Sequence, residues 1–469
     1  MGLLETKPLV DVLGDRPAAR YVAGLVTGTA GEASPGDEWP RERLSSALAA
    51  GSAGLATVRM IIAQPDWVHR RVDALAYRDE STFRRQQSVH FTLPRAAPEI
   101  AVESARFRLV PLATLRKATL VGFDCRDESG GSLPVLTRRQ QGLLTVAGMT
   151  TWAEALVGGP LDADVAEEVI TCVNGPARDR GTALRAFAAG DGQRDLLRGD
   201  DIFSLVLERL TDQFILTTLV PDPPGTQRIV KFSYEEYGEL AGESGLGRPL
   251  AALCWIPRRA ASTAEGLFSA ESYHFEADLP PGVEIPVATL WAGDGEDDLR
   301  CIDVDPGAHL RIALRAPGWE EGVAEVRWSL RPARRGWLRA AWYATALAAV
   351  TLAVCAWRLD TITAGIDEGG GTRTELTAAV ILALIGALGG LVARIEEHPL
   401  VTRLLAWPRR LAAVAALLPL VAAGSLVVGP AGDARQVLWI ALAVVAVAIA
   451  AVFTVAFAVP SPTARDRAP

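Results

Sequence analysis

Four sets of side chains in this sequence have the types and spacing to do chemistry. Asp294, Glu296, Asp297 and Asp298, with Asp303 and Asp305 soon after, offer the hard oxygen ligands that calcium takes. The glycine and terminal glutamate of an EF-hand loop are missing, so a solvated acidic turn is the expectation. His274 and Glu276 stand two apart and would share one face of a strand, as a hydrogen-bonded pair or part of a metal site. No third ligand can be placed beside them, which favours a structural role. His90 falls in the middle of a strand pattern and is expected to be structural too. Arg331, Arg334, Arg335 and Arg339 stand where an apolar helix begins. Each can attract an anionic headgroup with about 1 kcal/mol, or the four can simply set membrane orientation.

Signatures with a known mechanism are absent. None of the three lysines, Lys7, Lys117 and Lys231, follows a glycine, so there is no P-loop, and no H-E-x-x-H, G-x-S-x-G, dinucleotide glycine triplet or paired C-x-x-C occurs. No catalytic, cofactor-binding or metal-binding residue is assigned, no cofactor is expected, and a non-enzyme is favoured.

The elements that must position any site are dominated by the carboxyl-terminal quarter. Residues 340–357, 376–393, 411–428 and 436–459 contain no Asp, Glu, Lys, Arg or His. Eighteen helical residues rise ~27 Å, close to the hydrocarbon thickness of a bilayer, and these runs show no polar stripe. They predict four transmembrane helices within residues 337–459, followed by a tail at 460–469. Trp337, Trp342, Tyr343, Trp357, Trp407 and Trp439 lie at or near the span ends, as interfacial anchors would. Gly386 and Gly390 form a small-xxx-small pair in the second span, a candidate helix-packing contact that would also serve a homo-oligomer. Pro419 interrupts the third. No ionisable group lies inside a span, which argues against an ion-coupled carrier.

Arginine placement predicts the orientation. Arg327, Arg331, Arg334, Arg335 and Arg339 precede the first span, Arg394, Arg403, Arg409 and Arg410 fall between spans two and three, and Arg465 and Arg467 lie in the tail. The opposite loops hold only Arg358, Arg373 and Arg435, so both termini are expected in the cytoplasm and the protein in the plasma membrane. From Ala333 onward there are twelve arginines and eight acids; with −8 for the whole chain, residues 1–332 carry −12. An acidic soluble part argues against nucleic acid as the main partner. The five cysteines are scattered and odd in number, as reduced cytoplasmic thiols would be. The first thirty residues lack the apolar run of a secretory signal, so the first span is expected to act as the insertion signal.

The soluble part reads as α+β. Strands are expected at Gln86–Leu93, Ala105–Leu115, Ala118–Cys125 and Ser132–Leu136, the last after a turn at Asp127–Gly131, together a β-meander. Arg41–Ile62 is expected to hold a helix and then a strand. Helices are expected at Arg138–Val157 with Thr137 as cap, Asp162–Val173, Arg180–Ala189 and Asp201–Leu210, and strands at Phe214–Val220 and Arg228–Tyr234. Glycine-rich Gly242–Leu250 suggests a boundary between a mixed domain, 1–245, and a small β-sandwich, 246–332, made of Leu250–Ile256, Ser272–Asp278, Val283–Trp291, His309–Leu314 and Ala324–Leu330.

Pro111-Leu-Ala-x-x-x-Lys117, Phe123-Asp124, Asp127-x-x-Gly130, Leu133-Pro134-x-Leu-Thr137, Ser272-Tyr-His-Phe-Glu276 and Pro280-Pro-Gly282 resemble blocks in large multi-span membrane proteins of high-GC Gram-positive bacteria. The resemblance implies this architecture over most of the chain and no activity. The expected function is a membrane-anchored cytoplasmic binding, scaffolding or sensor protein, its partners membrane lipids and a protein or small-molecule ligand. The alternative is a pore, transporter or membrane-acting effector gated by the cytoplasmic part.

Overall fold

A computed structural model of the protein describes residues 51–79, 82–102, 105–118, 120–221, 225–237, 247–264, 269–292, 309–315, 324–361, 380, 383, 398–428 and 432–458. Gly386, Gly390, most of the run at 376–393, the acidic residues at 294–305, and residues 1–50 and 459–469 lie outside them.

The helices and strands follow in this order: α1 (Gly51–Ile62), α2 (Gln64–Trp67), β1 (Val68–Tyr77), β2 (Thr82–Thr92), β3 (Glu99–Val102), β4 (Ala105–Arg116), β5 (Val121–Arg126), α3 (Arg138–Val157), α4 (Ala163–Asn174), α5 (Ala177–Ala189), α6 (Gln193–Arg198), α7 (Asp201–Asp212), β6 (Gln213–Pro221) and β7 (Gln227–Tyr237). Then come α8 (Gly247–Ala252), β8 (Arg258–Thr263), β9 (Ser272–Asp278), β10 (Val283–Glu284), β11 (Ala288–Ala292), β12 (His309–Arg315), β13 (Ala324–Pro332), α9 (Trp337–Trp357), α10 (Pro399–Leu404), α11 (Ala406–Val428) and α12 (Asp433–Ala458).

A six-stranded sheet in the order β12-β9-β1-β2-β7-β5 organises the soluble part, and β1 pairs with β9 in parallel. It takes strands from both sides of the glycine-rich boundary near residue 245, so backbone hydrogen bonds join the two segments. Its inner face carries two cores. Over one half, Val89, Phe91, Val230 and Phe232 meet Val110, Leu112, Leu115 and Leu216 of the three-stranded sheet β3-β4-β6. The far face of that small sheet, through Leu109 and Leu219, packs on Leu144 of α3, and α3 to α7 gather around a separate cluster containing Val146, Val169 and Phe203. Over the other half, Tyr273, Phe275 and Ile312 face Val326, Trp328 and Leu290 of the sheet formed by β8, β10, β11 and β13. That is a sandwich, but its second layer belongs to the large sheet.

The helices follow their local chemistry. Thr137 caps α3 with a reciprocal capping box: its side chain accepts from the Gln140 amide, and the Gln140 side chain accepts from the Thr137 amide at 2.9 Å. Asp200 caps α7 through Phe203 N at 2.8 Å. Gly54 of α1 and Gly148 of α3 let the two helix backbones touch; a Cβ on Gly148 would come within 2.5 Å of the Gly54 carbonyl carbon. This is the small-residue contact of the described structure, and it lies in the soluble part.

Several expectations are corrected. Ala105–Leu115 does not continue a meander after β2; it forms β4 of the separate small sheet, while β5 pairs with β7. Ser132–Leu136 makes two isolated bridges, Arg126 to Ser132 and Val135 to Thr218, because Pro134 between them has no N–H to extend a ladder. Leu250–Ile256 is not a strand: it is the end of α8 and a turn in which Cys254 takes φ 60°, held by Trp255 Nε1 donating to Val452 O at 3.1 Å. Val283–Trp291 is split into β10 and β11 at Pro286. β1 and β8 had no expectation. Within Arg41–Ile62 the described part is helix only, and the following strand starts at Val68.

At the carboxyl end α9, α11 and α12 are long and apolar enough to cross a membrane. The start of α9 lies beside the end of α12: Trp342 stacks on Phe457 at 5.4 Å and donates to Thr454 Oγ1 at 3.0 Å. Trp337, Leu400, Ala412, Ala415 and Phe453 belong to the same core as the sandwich. Leu352, Leu359, Ala422, Leu426, Trp439 and Leu442 form a second core at the opposite end. Hence α9 and α11 both run away from the soluble part and α12 runs back to it. Trp439 is not an interfacial anchor. It is fully buried and donates to Ser425 Oγ at 2.9 Å. Trp357, Trp407 and Tyr343 are exposed, as anchors would be.

Candidate functional site

Strand alternation puts opposite chemistry on the two faces of the six-stranded sheet. On β1, Arg71 and Asp73 point inward with Leu75, and Arg70 points outward. On β2, Arg85 and Gln87 point inward and Ser88 and His90 outward.

The inward set is a polar seam between the two cores. Arg85 makes a two-pronged pair with Asp73, which also accepts from Tyr273 Oη at 3.0 Å, and Arg85 donates to Thr263 O at 2.7 Å. Burial opposes the charge on Arg85, yet the adjacent Asp73 carboxylate holds the guanidinium pKa well above its ordinary value. Burial, and then Asp73, likewise push the Tyr273 phenol well up. Arg71 donates to Leu112 O at 2.6 Å and to Gln87 Oε1 at 3.2 Å, and Gln64 Nε2 reaches Pro111 O at 3.0 Å. Apart from the buried Arg71 Nε, which has no acceptor, these groups bond one another away from water, so the seam fixes register between elements far apart in sequence.

The outward face is the more exposed one, with Arg70, Gln86 and Lys231 open to solvent. Arg70 lies directly opposite His90 of β2 and Ser272 of β9; two residues on, Val72 lies opposite His274, and Ser88 lies opposite Lys231 of β7. Opposed Cβ atoms in such ladders are about 5 Å apart and diagonal neighbours about 7–8 Å. Arg70, His90, His274 and Lys231 therefore form one patch across four adjacent strands. Arg70 and Lys231 are exposed and the two imidazoles half-buried. Partial burial, then Arg70, Lys231 and His274, lower the His90 pKa; burial and Arg70 lower that of His274 against the pull of Glu276. Both rings are neutral at pH 7 and can each donate one N–H. Ser88 Oγ contacts His90 Nε2 at 3.3 Å. Carboxylates stand at the rim with cations of their own: Glu276 faces Arg311 at 3.9 Å and Asp124 faces Arg126 at 2.6 Å.

His274 and Glu276 share a face as the sequence implied, and His90 joins them, which sequence spacing alone did not connect. No group of three or more His, Cys, Asp or Glu side chains that could hold a metal ion occurs among the described residues. Sequence reasoning passed over Arg70 because β1, Val-His-Arg-Arg-Val-Asp-Ala-Leu-Ala-Tyr, buries polar residues and so hides its alternation, and over Lys231 because its neighbours on the face come from distant strands.

Lys117 is the other strongly perturbed group. Burial, with Arg180 behind it, draws its pKa down to about 7 against the pull of Asp212. Its Nζ faces the carbonyls of Cys172, Val173, Leu210 and Thr211, the last turns of α4 and α7, at 3.3, 2.6 and 3.2 Å for Cys172, Val173 and Thr211. Four carbonyl acceptors around one nitrogen satisfy the donors of its protonated form, while burial opposes the charge. The geometry makes Lys117 a double helix cap.

The four arginines expected at the membrane surface follow β13. Arg331 pairs with Glu284 at 2.6 Å, Arg335 is exposed, and Arg339 lies over the Tyr343 ring at 5.6 Å. Burial and Arg331 lower the Arg334 pKa, so these cations stand together.

Fold and face together define an α+β module whose core runs on into a bundle of apolar helices able to cross a membrane. The chain matches no protein-family model and no curated protein.

Proposed function

We propose that the protein is a four-span membrane protein whose α+β part lies in the cytoplasm and docks an acidic segment of a partner protein on the outward sheet face, as a scaffold or sensor. The observation that carries the membrane half is the direction of the helices. The end of α9 lies in the distal core and α10 lies in the core next to the soluble part, which supports a reading with one further crossing between them. The uncharged run at 376–393 suits that crossing. Arginine density at the proximal end supports the cytoplasmic assignment. The binding half rests on charge: a patch bearing Arg70 and Lys231 attracts an acidic segment locally, while the net −12 of residues 1–332 opposes a long phosphate polymer. The patch spans four adjacent strands, an extent that suits a protein segment better than a small molecule.

Two measurements test this. Cysteines placed at Arg335 and Arg358 in intact cells should be shielded from and open to an impermeant thiol reagent, respectively; the reverse pattern overturns the orientation. A partner captured from native membranes should elute with salt and be lost from the Arg70→Glu/Lys231→Glu protein. A partner retained equally by that variant removes the docking face. Channel or carrier activity in liposomes would favour the gated-pore alternative.

A further inference from the structure

Within the patch on the sheet face, four side chains gather over the middle of β2. Arg70 of β1 and Lys231 of β7 flank that strand from opposite sides, level with His90 and Ser88 respectively. The Ser88–His90 pair therefore sits between two long cationic side chains, and its members meet through Oγ and Nε2 at 3.3 Å. That contact has two forms. If the hydroxyl donates to Nε2, the ring keeps an N–H at Nδ1 to offer; if Nε2–H donates, the hydroxyl hydrogen stays free. Either tautomer leaves one donor beside the two cations. Arg70 and Lys231 are exposed, and among the described residues neither side chain has a hydrogen bond or ion pair. The carboxylates of the face begin one row beyond Ser88, where Glu276 lies opposite Ala74 and Asp124 opposite Ser233. Arg311 and Arg126 already face those two acids. The spot thus offers two positive charges and a further hydrogen-bond donor, with no carboxylate among them.

We propose that Arg70, Ser88, His90 and Lys231 hold the phosphate of a phosphorylated serine or threonine in the partner segment that docks on this face. This rests on the docking reading above and names the acid that the face recognises. A phosphate monoester carries about −1.5 to −2 charge at pH 7 and three acceptor oxygens, so it answers both cations and the free donor at once. A single carboxylate answers one cation and leaves the other without a counter-charge. Arg70 suits the two-pronged grip of a guanidinium on phosphate, and Lys231 adds a point charge from the other side of β2. Because both cations are exposed, a phosphate carried on a chain reaches them. His274, diagonal to Arg70 on β9, carries the patch on toward the neighbouring residues of such a segment.

The test uses the full-length protein in phosphatidylcholine nanodiscs and three degenerate peptide libraries that differ only at a fixed central position: phosphoserine, glutamate or serine. The phosphoserine library should be retained about tenfold better than the glutamate library, and the serine library should wash through. Arg70→Gln and Lys231→Gln should each lower phosphoserine retention about tenfold. Arg106→Gln, which removes an exposed arginine from the separate small sheet, should leave it unchanged. All three positions are exposed, so the variants should unfold at the wild-type temperature. In spectra of labelled histidine the phosphopeptides should move the His90 signal and leave that of His398, the cap of α10, in place. Equal retention of the phosphoserine and glutamate libraries overturns the phosphate and leaves the acidic docking face standing. Equal retention by the wild type and both Gln variants overturns the site. So does displacement of the peptides by inorganic phosphate at matching concentration, which would make free phosphate the ligand. If no library is retained the inference falls, and the docking face falls with it only if a native partner is also kept by Arg70→Glu/Lys231→Glu.

Discussion

Asp73 and Arg85 face each other across β1 and β2 with Arg85 Nε to Oδ1 at 2.9 Å and Nη2 to Oδ2 at 2.5 Å, and neither side chain is more than 1% exposed. The pair sits where the two cores of the large sheet meet, and Tyr273 of β9 and Thr263 of β8 complete it from beyond the glycine-rich boundary. Removing one partner strands the other's charge in the interior. Asp73→Ala should cost about 3–5 kcal/mol and loosen both halves together, while Tyr273→Phe should cost about 1 kcal/mol. Thermal unfolding of the full chain followed by two probes, Trp152 near α7 and Trp328 in the sandwich, checks this; a single-half transition in Asp73→Ala would refute the linking role.

The Gly54–Gly148 contact admits no side chain. Gly148→Ala brings a Cβ against backbone of α1, which cannot rotate away as a side chain can. We expect a loss of about 1–3 kcal/mol, whereas Gly181→Ala, at an open position of α5, should be neutral or slightly stabilising. Denaturant midpoints for the two variants should therefore move apart.

The sheet-face histidines report on their neighbours with a definite sign. Arg70 depresses both rings, and Lys231 depresses His90. Arg70→Gln should raise the pKa of His90 and of His274, while Lys231→Gln should raise His90 and leave His274 in place. Proton-detected titration of labelled histidine checks this. Because the folded-state values lie below the ordinary 6.5, the folded protein binds fewer protons than the unfolded chain just below that pH. The contribution of these rings to stability is therefore present above pH 6.5 and falls as pH drops through their lowered values. An acidic partner should bind more tightly over the same descent.

Lys117 should behave as a cap. Lys117→Met leaves the carbonyls at the ends of α4 and α7 without their donor and should lower the unfolding temperature, and Lys117→Arg should recover part of the loss. A lysine-directed acylating reagent at pH 7.5 should label Lys231 before Lys117. Preferential labelling of Lys117 would show a free amine and a reactive site.

The sequence by itself settled what short-range physics decides. The cap at Thr137, the helices α3, α4, α5 and α7, most strand positions and three of the apolar carboxyl-terminal runs depend on propensity, capping and periodicity within a few residues, and they stand where expected. Expectations failed where the deciding contact was distant. Leu250–Ile256 has a strand's composition but is held as a helix and turn against α12; Trp439 has an anchor's position but a buried partner in Ser425; and β4, a plausible next strand, leaves for another sheet.

Tertiary structure alone decided the candidate site on the sheet face. His90 and His274 are 184 residues apart in the sequence. No local pattern couples such pairs, because sheet order and helix packing, fixed by burial of whole faces, determine which strands and helices become neighbours. Charge content and apolar length are additive along a chain and can be read from it; the meeting of particular charges in space belongs to the fold.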